Sequence, residues 1–147
     1  MRTVCKNSLM KSMSKTANYR SLEKKVQELL EKDGWIVERA RYNSAIRNGK
    51  WTQKKLDFFH VFDLIALHTN PEYPVRFVQV CVSGQVNAHK RKIDELFHIY
   101  PEMGNSFTVE IIVPEKRTAL PQKVKRWKIV QIHRRIGHDW YRQDNLV

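Results

Sequence analysis

Two polar side chains stand where the pattern of the chain predicts buried strands. Asp63 lies within an apolar run, on the face that strand alternation shares with Val61 and Ile65. Gln79 occupies the same kind of position in the next apolar run. A carboxylate buried there is costly unless a cation or a hydrogen-bond donor meets it. The two runs predict a hairpin, folded near Pro71, that brings Asp63 roughly opposite Gln79 to Cys81, so that polar groups of the two strands converge on one spot.

A further carboxylate comes from a predicted helix. Apolar spacing predicts a helix from about residue 17 to residue 33, closed by Gly34. At about 100° per residue, Glu23 falls about 20° from Leu30, at the edge of the apolar stripe. Glu23, Asp63 and Gln79 thus offer the carboxylate and amide oxygens that hard divalent cations prefer. We therefore predict a Mg²⁺ site, with Mn²⁺ as an alternative, suited to phosphodiester hydrolysis with a nearby lysine.

The other predicted elements position these groups. Strands are predicted at residues 35–42, 60–67, 75–82, 106–113 and 127–133, and a second helix from about residue 83 to residue 100. A basic loop is predicted at residues 115–125, and a short mixed tail follows the last strand. This order predicts an α/β fold with a central mixed β-sheet flanked by helices.

Composition narrows the class of protein. The 147 residues predict a basic flexible tail at residues 1–16 and a single domain at residues 17–147. The net charge of +12 indicates a polyanionic partner, with nucleic acid ahead of an acidic membrane surface. Two unlike cysteines, Cys5 and Cys81, argue against a disulfide framework. Since no apolar run has membrane-spanning length and no signal-peptide core opens the chain, we expect a cytoplasmic protein.

A basic stretch with an aromatic residue predicts where nucleic acid binds. It surrounds the turn signal Asn48-Gly49. Basic side chains beside an aromatic ring suit phosphate contact together with stacking on an exposed base. The alternative is a solvated hairpin whose tryptophan covers a sheet edge. The predicted nucleic-acid-binding residues are Arg41, Arg47, Lys50, Trp51, Lys54 and Lys55.

These residues, in this order, resemble the PD-(D/E)xK nuclease superfamily, in particular the archaeal and phage Holliday-junction resolvases and related small bacterial nucleases. The phrase from Glu23 to Gly34-Trp35 resembles the family's first-helix glutamate followed by Gly-aromatic. Asp63-Leu-Ile-Ala-Leu resembles its aspartate strand, and Gln79-Val-Cys resembles its acid-x-lysine strand. The resemblance spans residues 21–100, and more loosely residues 127–133.

The resemblance implies a restriction-endonuclease-like core and a magnesium-dependent endonuclease acting on DNA. It further implies a structure-selective enzyme that cuts branched four-way junctions as a homodimer, in DNA recombination and repair of a bacterial, archaeal or phage-infected cell. Cys81 departs from the pattern, because the family has lysine there. Some members carry that lysine on the following helix, which makes Lys90, and less favourably Lys92, the substitute. The catalytic set implied is Glu23, Asp63, Gln79 and Lys90, with the first three binding metal.

Other interpretations remain open at this stage. Asp63 could cap a turn or pair with Arg39 or Arg41, and Gln79 could bond the backbone of a neighbour. Lys90 could be a surface lysine lying along its helix, and Cys81 a small buried hydrophobic residue. The whole chain could be a module that binds DNA or RNA without cutting, or a nuclease subunit that makes single breaks.

Overall fold

The structure is a computed structural model that describes residues 21–101, 107–119, 121 and 124–144. The predicted tail at residues 1–16, and the first predicted turn of the helix at residues 17–20, lie outside the described residues. The helices are α1 at residues 21–32 and α2 at Val86–Ile99, which follows a 3₁₀ turn at Ser83–Gln85. The strands are β1 Trp35–Arg39, β2 Arg41–Arg47, β3 Lys50–Leu56, β4 Leu64–His68, β5 Val75–Val80, β6 Phe107–Ala119, β7 Val124–Ile136 and β8 Asp139–Asp144.

Six strands form one mixed sheet in the order β1-β4-β5-β6-β7-β8. Strands β5 and β6 are parallel and are joined through α2, whereas every other neighbouring pair is antiparallel. Strands β2 and β3 form a separate two-stranded ribbon, which turns at Asn48-Gly49 with positive φ at both residues. The predicted mixed sheet with flanking helices, and the predicted hairpin of the two central strands, are confirmed.

The two described helices cover opposite faces of this sheet. Val26 and Leu30 of α1 pack with Ile112, whereas Ile93 and Phe97 of α2 pack with the neighbouring Ile111. Adjacent residues of a strand point to opposite faces, so the central strands are buried on both sides. This explains why their sequences are nearly continuous apolar runs. Neither described helix is long and apolar enough to span a membrane.

Gly34 ends α1 in a left-handed conformation with φ +93°, and its amide donates to the carbonyl of Glu31. A Cβ at this position would lie 3.1 Å from the His68 ring, which adds a packing reason for glycine. The chain therefore turns directly from α1 into β1.

Several predicted boundaries are wrong. The predicted basic loop at residues 115–125 is mostly strand, since β6 and β7 run well beyond the predicted ends. Pro114 is accommodated by a register shift after Val113, because proline cannot donate to the ladder. The mixed tail predicted after the last strand contains β8. The predicted first strand breaks at Ala40, and β4 begins at Leu64 after a turn.

Candidate active site

Asp63 is fixed at the start of β4, between the ends of β1 and β5. Its carbonyl accepts a hydrogen bond from the Ala40 amide at 2.8 Å, and its amide donates to the Val78 carbonyl at 2.9 Å. Its carboxylate Oδ2 accepts from the Val80 amide at 2.7 Å. The side chain is 2% exposed. The backbone bonds thus fix the position of Asp63, and the Val80 amide holds one carboxylate oxygen and leaves the other, Oδ1, for a different partner.

That partner is Lys55, which the sequence analysis had assigned to the nucleic-acid-binding stretch. Its ammonium donates to Asp63 Oδ1 and to Oε1 of Glu23, and lies 3.1 Å from Oδ1 of Asp57. Glu23 is also buried, at 5% exposure. Three carboxylates from α1, the β3–β4 loop and β4 therefore surround one lysine from the ribbon. The convergence of Glu23 with Asp63 agrees with the prediction, whereas Asp57 and the position of Lys55 were missed.

The pKa values of the cluster follow from burial and from these ion pairs. Burial raises the pKa of Asp63 to about 7; the Lys55 ammonium opposes this rise and the Glu23 carboxylate adds to it. Burial disfavours the charged form of Lys55, but Asp63 and Glu23 outweigh it and raise the pKa of the ammonium. Lys55 is therefore a fixed positive charge, while the protonation of Asp63 is sensitive to pH near neutrality.

The cluster lies in a cavity of about 350 Å³. His89 of α2 lines it, and burial, reinforced by the charge of Lys92, lowers the pKa of His89 below its usual range. A neutral imidazole in such a cavity can accept a proton. The lining residues are Glu23, Tyr42, Lys55, Asp57, His60, Val61, Asp63, Gln79, Val80, Gln85, His89 and Lys92.

The loop between β3 and β4 adopts an uncommon backbone conformation beside this cavity. Phe59 and His60 have φ of 54° and 64°, a left-handed region that costs residues other than glycine free energy. Two hydrogen bonds between the backbones of Phe58 and Phe62 close the loop. The surrounding structure thus holds a tight turn that presents Asp57 to the ammonium of Lys55.

Gln79, near the end of β5, and Cys81, just after it, lie next to Asp63. Gln79 is 6% exposed and lines the cavity, and its Nε2 donates to the Val80 carbonyl at 3.1 Å. The backbone bond that the alternative interpretation of Gln79 considered is thus present, and the amide oxygen is the atom left for a cation. Cys81 is fully buried among the residues that α2 covers. Burial, with a contribution from Asp63, raises the pKa of the Cys81 thiol to about 12, so the group stays protonated at neutral pH.

Lys90 does not line the cavity of Glu23, Asp63 and Gln79. Its ammonium lies 5.8 Å from the centre of the Trp140 ring, in a second cavity between α2 and strands β7 and β8. The helical periodicity placed Lys90 at the core edge, which agrees with its partial burial. It gave no information on which strands that edge of α2 meets.

The ribbon separates the predicted nucleic-acid-binding residues onto two faces. Cross-strand partners share a face, and Tyr42 pairs with Lys55, as Ile46 pairs with Trp51. Lys55 and Trp51 therefore lie on the same face, and Lys55 on that face contacts the acids. The opposite face carries the other cations, namely Arg41, Arg47, Lys50 and Lys54, all of them exposed.

The oxygen donors of the cluster match Mg²⁺ and Mn²⁺ in type but already contact the ammonium of Lys55. No group of three or more His, Cys, Asp or Glu side chains within the described ranges is arranged to hold a metal ion as it stands. The carboxylates nevertheless already surround one cation, the ammonium of Lys55. Oδ1 of Asp57 is buried; it forms an ion pair with that ammonium at 3.1 Å but accepts no hydrogen bond from the described residues. Carboxylate and amide oxygens are the ligands of Mg²⁺ and Mn²⁺, so the donor chemistry fits, in competition with Lys55.

Comparisons with known proteins give no relative. No protein-family model, no curated protein and no solved structure matches the chain.

Proposed function

We propose that the protein is a metal-dependent DNA endonuclease with a restriction-endonuclease-like core, of the PD-(D/E)xK type that its sequence resembles. One observation carries the proposal. Glu23, Asp57 and Asp63 meet the ammonium of Lys55 beside an open cavity, and the amide of Gln79 lines the same cavity. Carboxylates that share one cation in a cavity, two of them buried and one with a raised pKa, are typical of a catalytic site.

In this proposal Lys55 takes the role that the family pattern gives to a lysine at the position of Cys81. Its ammonium already contacts the predicted metal-binding acids Glu23 and Asp63, so it can hold positive charge beside a phosphate bound in the cavity. Bound at Glu23, Asp63 and the Gln79 oxygen, Mg²⁺ or Mn²⁺ would screen the phosphate, activate water and stabilise the leaving oxygen. His89 is the neutral base in reach of the same cavity.

The exposed cations of the ribbon support DNA as the substrate. Arg41, Arg47, Lys50 and Lys54 lie on one face of a β-ribbon that carries Lys55 on the other. Phosphate contacts from this face would hold a strand while Lys55 stays with the acids. Two paired cuts in a four-way junction, which has near two-fold symmetry, require a homodimer; this remains part of the proposal.

The test is cleavage of labelled four-way-junction, duplex and single-stranded DNA with Mg²⁺ or Mn²⁺. We expect Asp63→Asn and Lys55→Met each to reduce the rate by about 10²–10⁴-fold, which is typical of losing a catalytic group. Lys32→Met, which removes an exposed lysine outside both cavities, is expected to keep it within about threefold. If Lys90→Ala abolished cleavage and Lys55→Met did not, the assignment of the lysine would be wrong.

A second function is favoured by the same ion pairs. The Lys55 ammonium neutralises part of the negative charge that would bind a metal. Cys81, at the position of the family lysine, supplies no positive charge. A module that binds DNA or RNA without cutting would have such a self-satisfied cluster. Salt-sensitive DNA binding with no cleavage of any substrate, and no effect of Lys55→Met on affinity, would support the module over the nuclease.

A further inference from the structure

A second cavity, of about 300 Å³, lies between the start of α2 and the last two strands. It is polar, and its volume is at the lower end of ligand-binding pockets, which begin at about 300 Å³. It shares no lining residue with the cavity of the carboxylate cluster. Its lining includes the side chains of Ser83, Asn87, Lys90, His133, Trp140 and Arg142.

Positive charge enters this cavity from two elements. Lys90 projects from α2, and Arg142 of β8 stands opposite His133 of β7 in the strand register. Arg142 uses its Nε–H for Asp144 at 2.7 Å, and a guanidinium has further N–H donors besides that one. Burial, then the charges of Lys90 and Arg142, lower the pKa of His133, while Asp144 opposes them. The field at the cavity is thus positive even though one carboxylate is near.

His133 provides an independent observation that points to a ligand at this cavity. The side chain is 4% exposed and lines the cavity. Its Nε2 lies 3.1 Å from Oε1 of Gln131, but its Nδ1 is buried without a hydrogen-bond partner among the described residues. An unpaired buried nitrogen is costly, and buried polar atoms normally have partners. An anion in the cavity would favour the protonated ring of His133. It would thereby offset the lowering of the His133 pKa that Lys90 and Arg142 cause.

We infer that this cavity binds a phosphate monoester. Lys90 and Arg142 match its double negative charge, and Ser83 and Asn87 add hydroxyl and amide donors at the same wall. The indole of Trp140 is held in place by a hydrogen bond from Nε1 to Asp94 at 3.1 Å, and presents a flat apolar surface for an attached organic group. The inference does not depend on the proposed nuclease activity.

The experiment measures binding by the full chain, free of divalent metal, by calorimetry. The probes are inorganic phosphate, deoxyadenosine 5′-monophosphate against deoxyadenosine, and a short oligonucleotide with a 5′-phosphate against the same one with a 5′-hydroxyl. A second readout is the indole N–H resonance of Trp140, assigned by its loss in Trp140→Phe. We expect saturable binding of the phosphorylated probes that shifts this resonance.

Two substitutions and a matched control decide the site. Lys90→Ala and Arg142→Ala should each weaken phosphate binding about tenfold, as expected for a lost charge-assisted hydrogen bond. Arg91→Ala removes an equal charge from the exposed side of the same helix and should change affinity less than twofold. Equal losses in all three variants would mean attraction by net charge alone and would overturn the inference, as would no saturable binding of any phosphorylated probe.

The probes also separate the two sources of the phosphate. Binding of inorganic phosphate and the mononucleotide, with no gain from the 5′-phosphate on the oligonucleotide, supports a free small phosphate. A gain from the 5′-phosphate that Lys90→Ala and Arg142→Ala remove supports the end of a nucleic-acid strand. A preference for the 5′-hydroxyl oligonucleotide would contradict both.

Discussion

Asp63 and Glu110 are both buried carboxylates in the central sheet, and they have opposite electrostatic settings. Glu110 on β6 is fully buried and accepts two hydrogen bonds from the Arg76 guanidinium, at 2.6 Å and 2.9 Å. Thr108 donates to it as well, at 3.1 Å. Burial alone would raise the pKa of Glu110, but Arg76, then Arg134 and Thr108, outweigh it and hold the pKa below its usual range. All of its charge is met inside the fold.

Asp63, by contrast, shares a single ammonium with two other carboxylates and has a raised pKa. The pKa of Glu110 is lower in the folded protein than in the unfolded chain. Its ionisation therefore stabilises the fold at pH above the ordinary pKa of a glutamate, and this stabilisation is lost as the pH falls through the folded pKa. The ionisation of Asp63 costs stability, and protonation below about pH 7 relieves it. A carboxylate satisfied by its own protein supports structure, whereas one left short of positive charge can hold a cation or a substrate.

The largest effect on stability is expected from Glu110→Gln. Removing one charge of a buried pair leaves Arg76, only 12% exposed, without its counter-charge, and should lower the free energy of unfolding by about 3–5 kcal/mol. Asp63→Asn makes the same chemical change at the other site, and there we expect a difference of at most about 1 kcal/mol. Urea denaturation of both variants measures this contrast. Equal losses would remove the distinction between the two carboxylates.

Lys55→Met should destabilise the metal-free protein by about 2–3 kcal/mol, because Glu23, Asp57 and Asp63 then repel one another without a cation. Magnesium should restore that stability, since a ligand at about a hundred times its dissociation constant contributes about 2.7 kcal/mol. Thermal unfolding with and without Mg²⁺ measures it. Lys32→Met, on the exposed side of α1, is the control and should keep the stability of the unsubstituted protein, with the same gain from Mg²⁺ as that protein. A variant that is equally unstable with Mg²⁺ would speak against a metal at these acids.

Magnesium affinity should depend on pH through Asp63. The pKa of Asp63 is about 7, and metal binding requires the carboxylate, so a proton must leave at lower pH. Affinity should therefore be constant above pH 7 and fall up to about tenfold per pH unit below it, as linkage to one proton requires. Calorimetric titration from pH 5.5 to pH 8.5 covers the range. Affinity that rose as pH fell would have the opposite sign and would exclude Asp63 as the linked group.

The smallest effect is expected from Arg134→Ala. Arg134 lies 3.5 Å from Glu110 and its side chain is 43% exposed, so water screens the pair. We expect a loss of about 0.5–1 kcal/mol in the free energy of unfolding. Urea denaturation beside Glu110→Gln shows whether Arg76 alone satisfies this carboxylate. A loss as large as that of Glu110→Gln would make the cluster a three-member unit.

Local patterns predicted the parts of the site that depend on local geometry. The predicted hairpin placed Asp63 near Gln79 and Cys81, and the helical wheel placed Glu23 at the edge of the core, because both follow from periodicity. Lys55 could not be placed in the same way. It lies 32 residues from Glu23 along the chain, and its position depends on how the ribbon is oriented against the sheet. Its signal was only the alternation that separates it from Lys54 and the other exposed cations.

The errors in the fold have two different causes. The basic composition of residues 115–125 is typical of a loop, but a long antiparallel pair can project from the domain with both faces exposed, and β6 and β7 do so. The position of Lys90 depends on which strands α2 crosses, which periodicity does not contain. For Lys90 the deciding contacts join segments far apart in sequence. The extension of β6 and β7 instead pairs residues close in sequence, such as Ala119 with Val124, and was missed because its basic composition is typical of a loop.

The separate hydrogen bonding of the β2–β3 ribbon gives it its own equilibrium of local unfolding. When the ribbon opens, Lys55 leaves the three acids, so the stability of the ribbon and the charge of the site are linked. Protonation of the acids weakens their hold on Lys55 and should speed amide hydrogen exchange at Ala45 and Thr52, which pair in the ribbon, relative to Ile111 in the buried sheet. Exchange in this exposed hairpin thus reports the ionisation of a buried cluster.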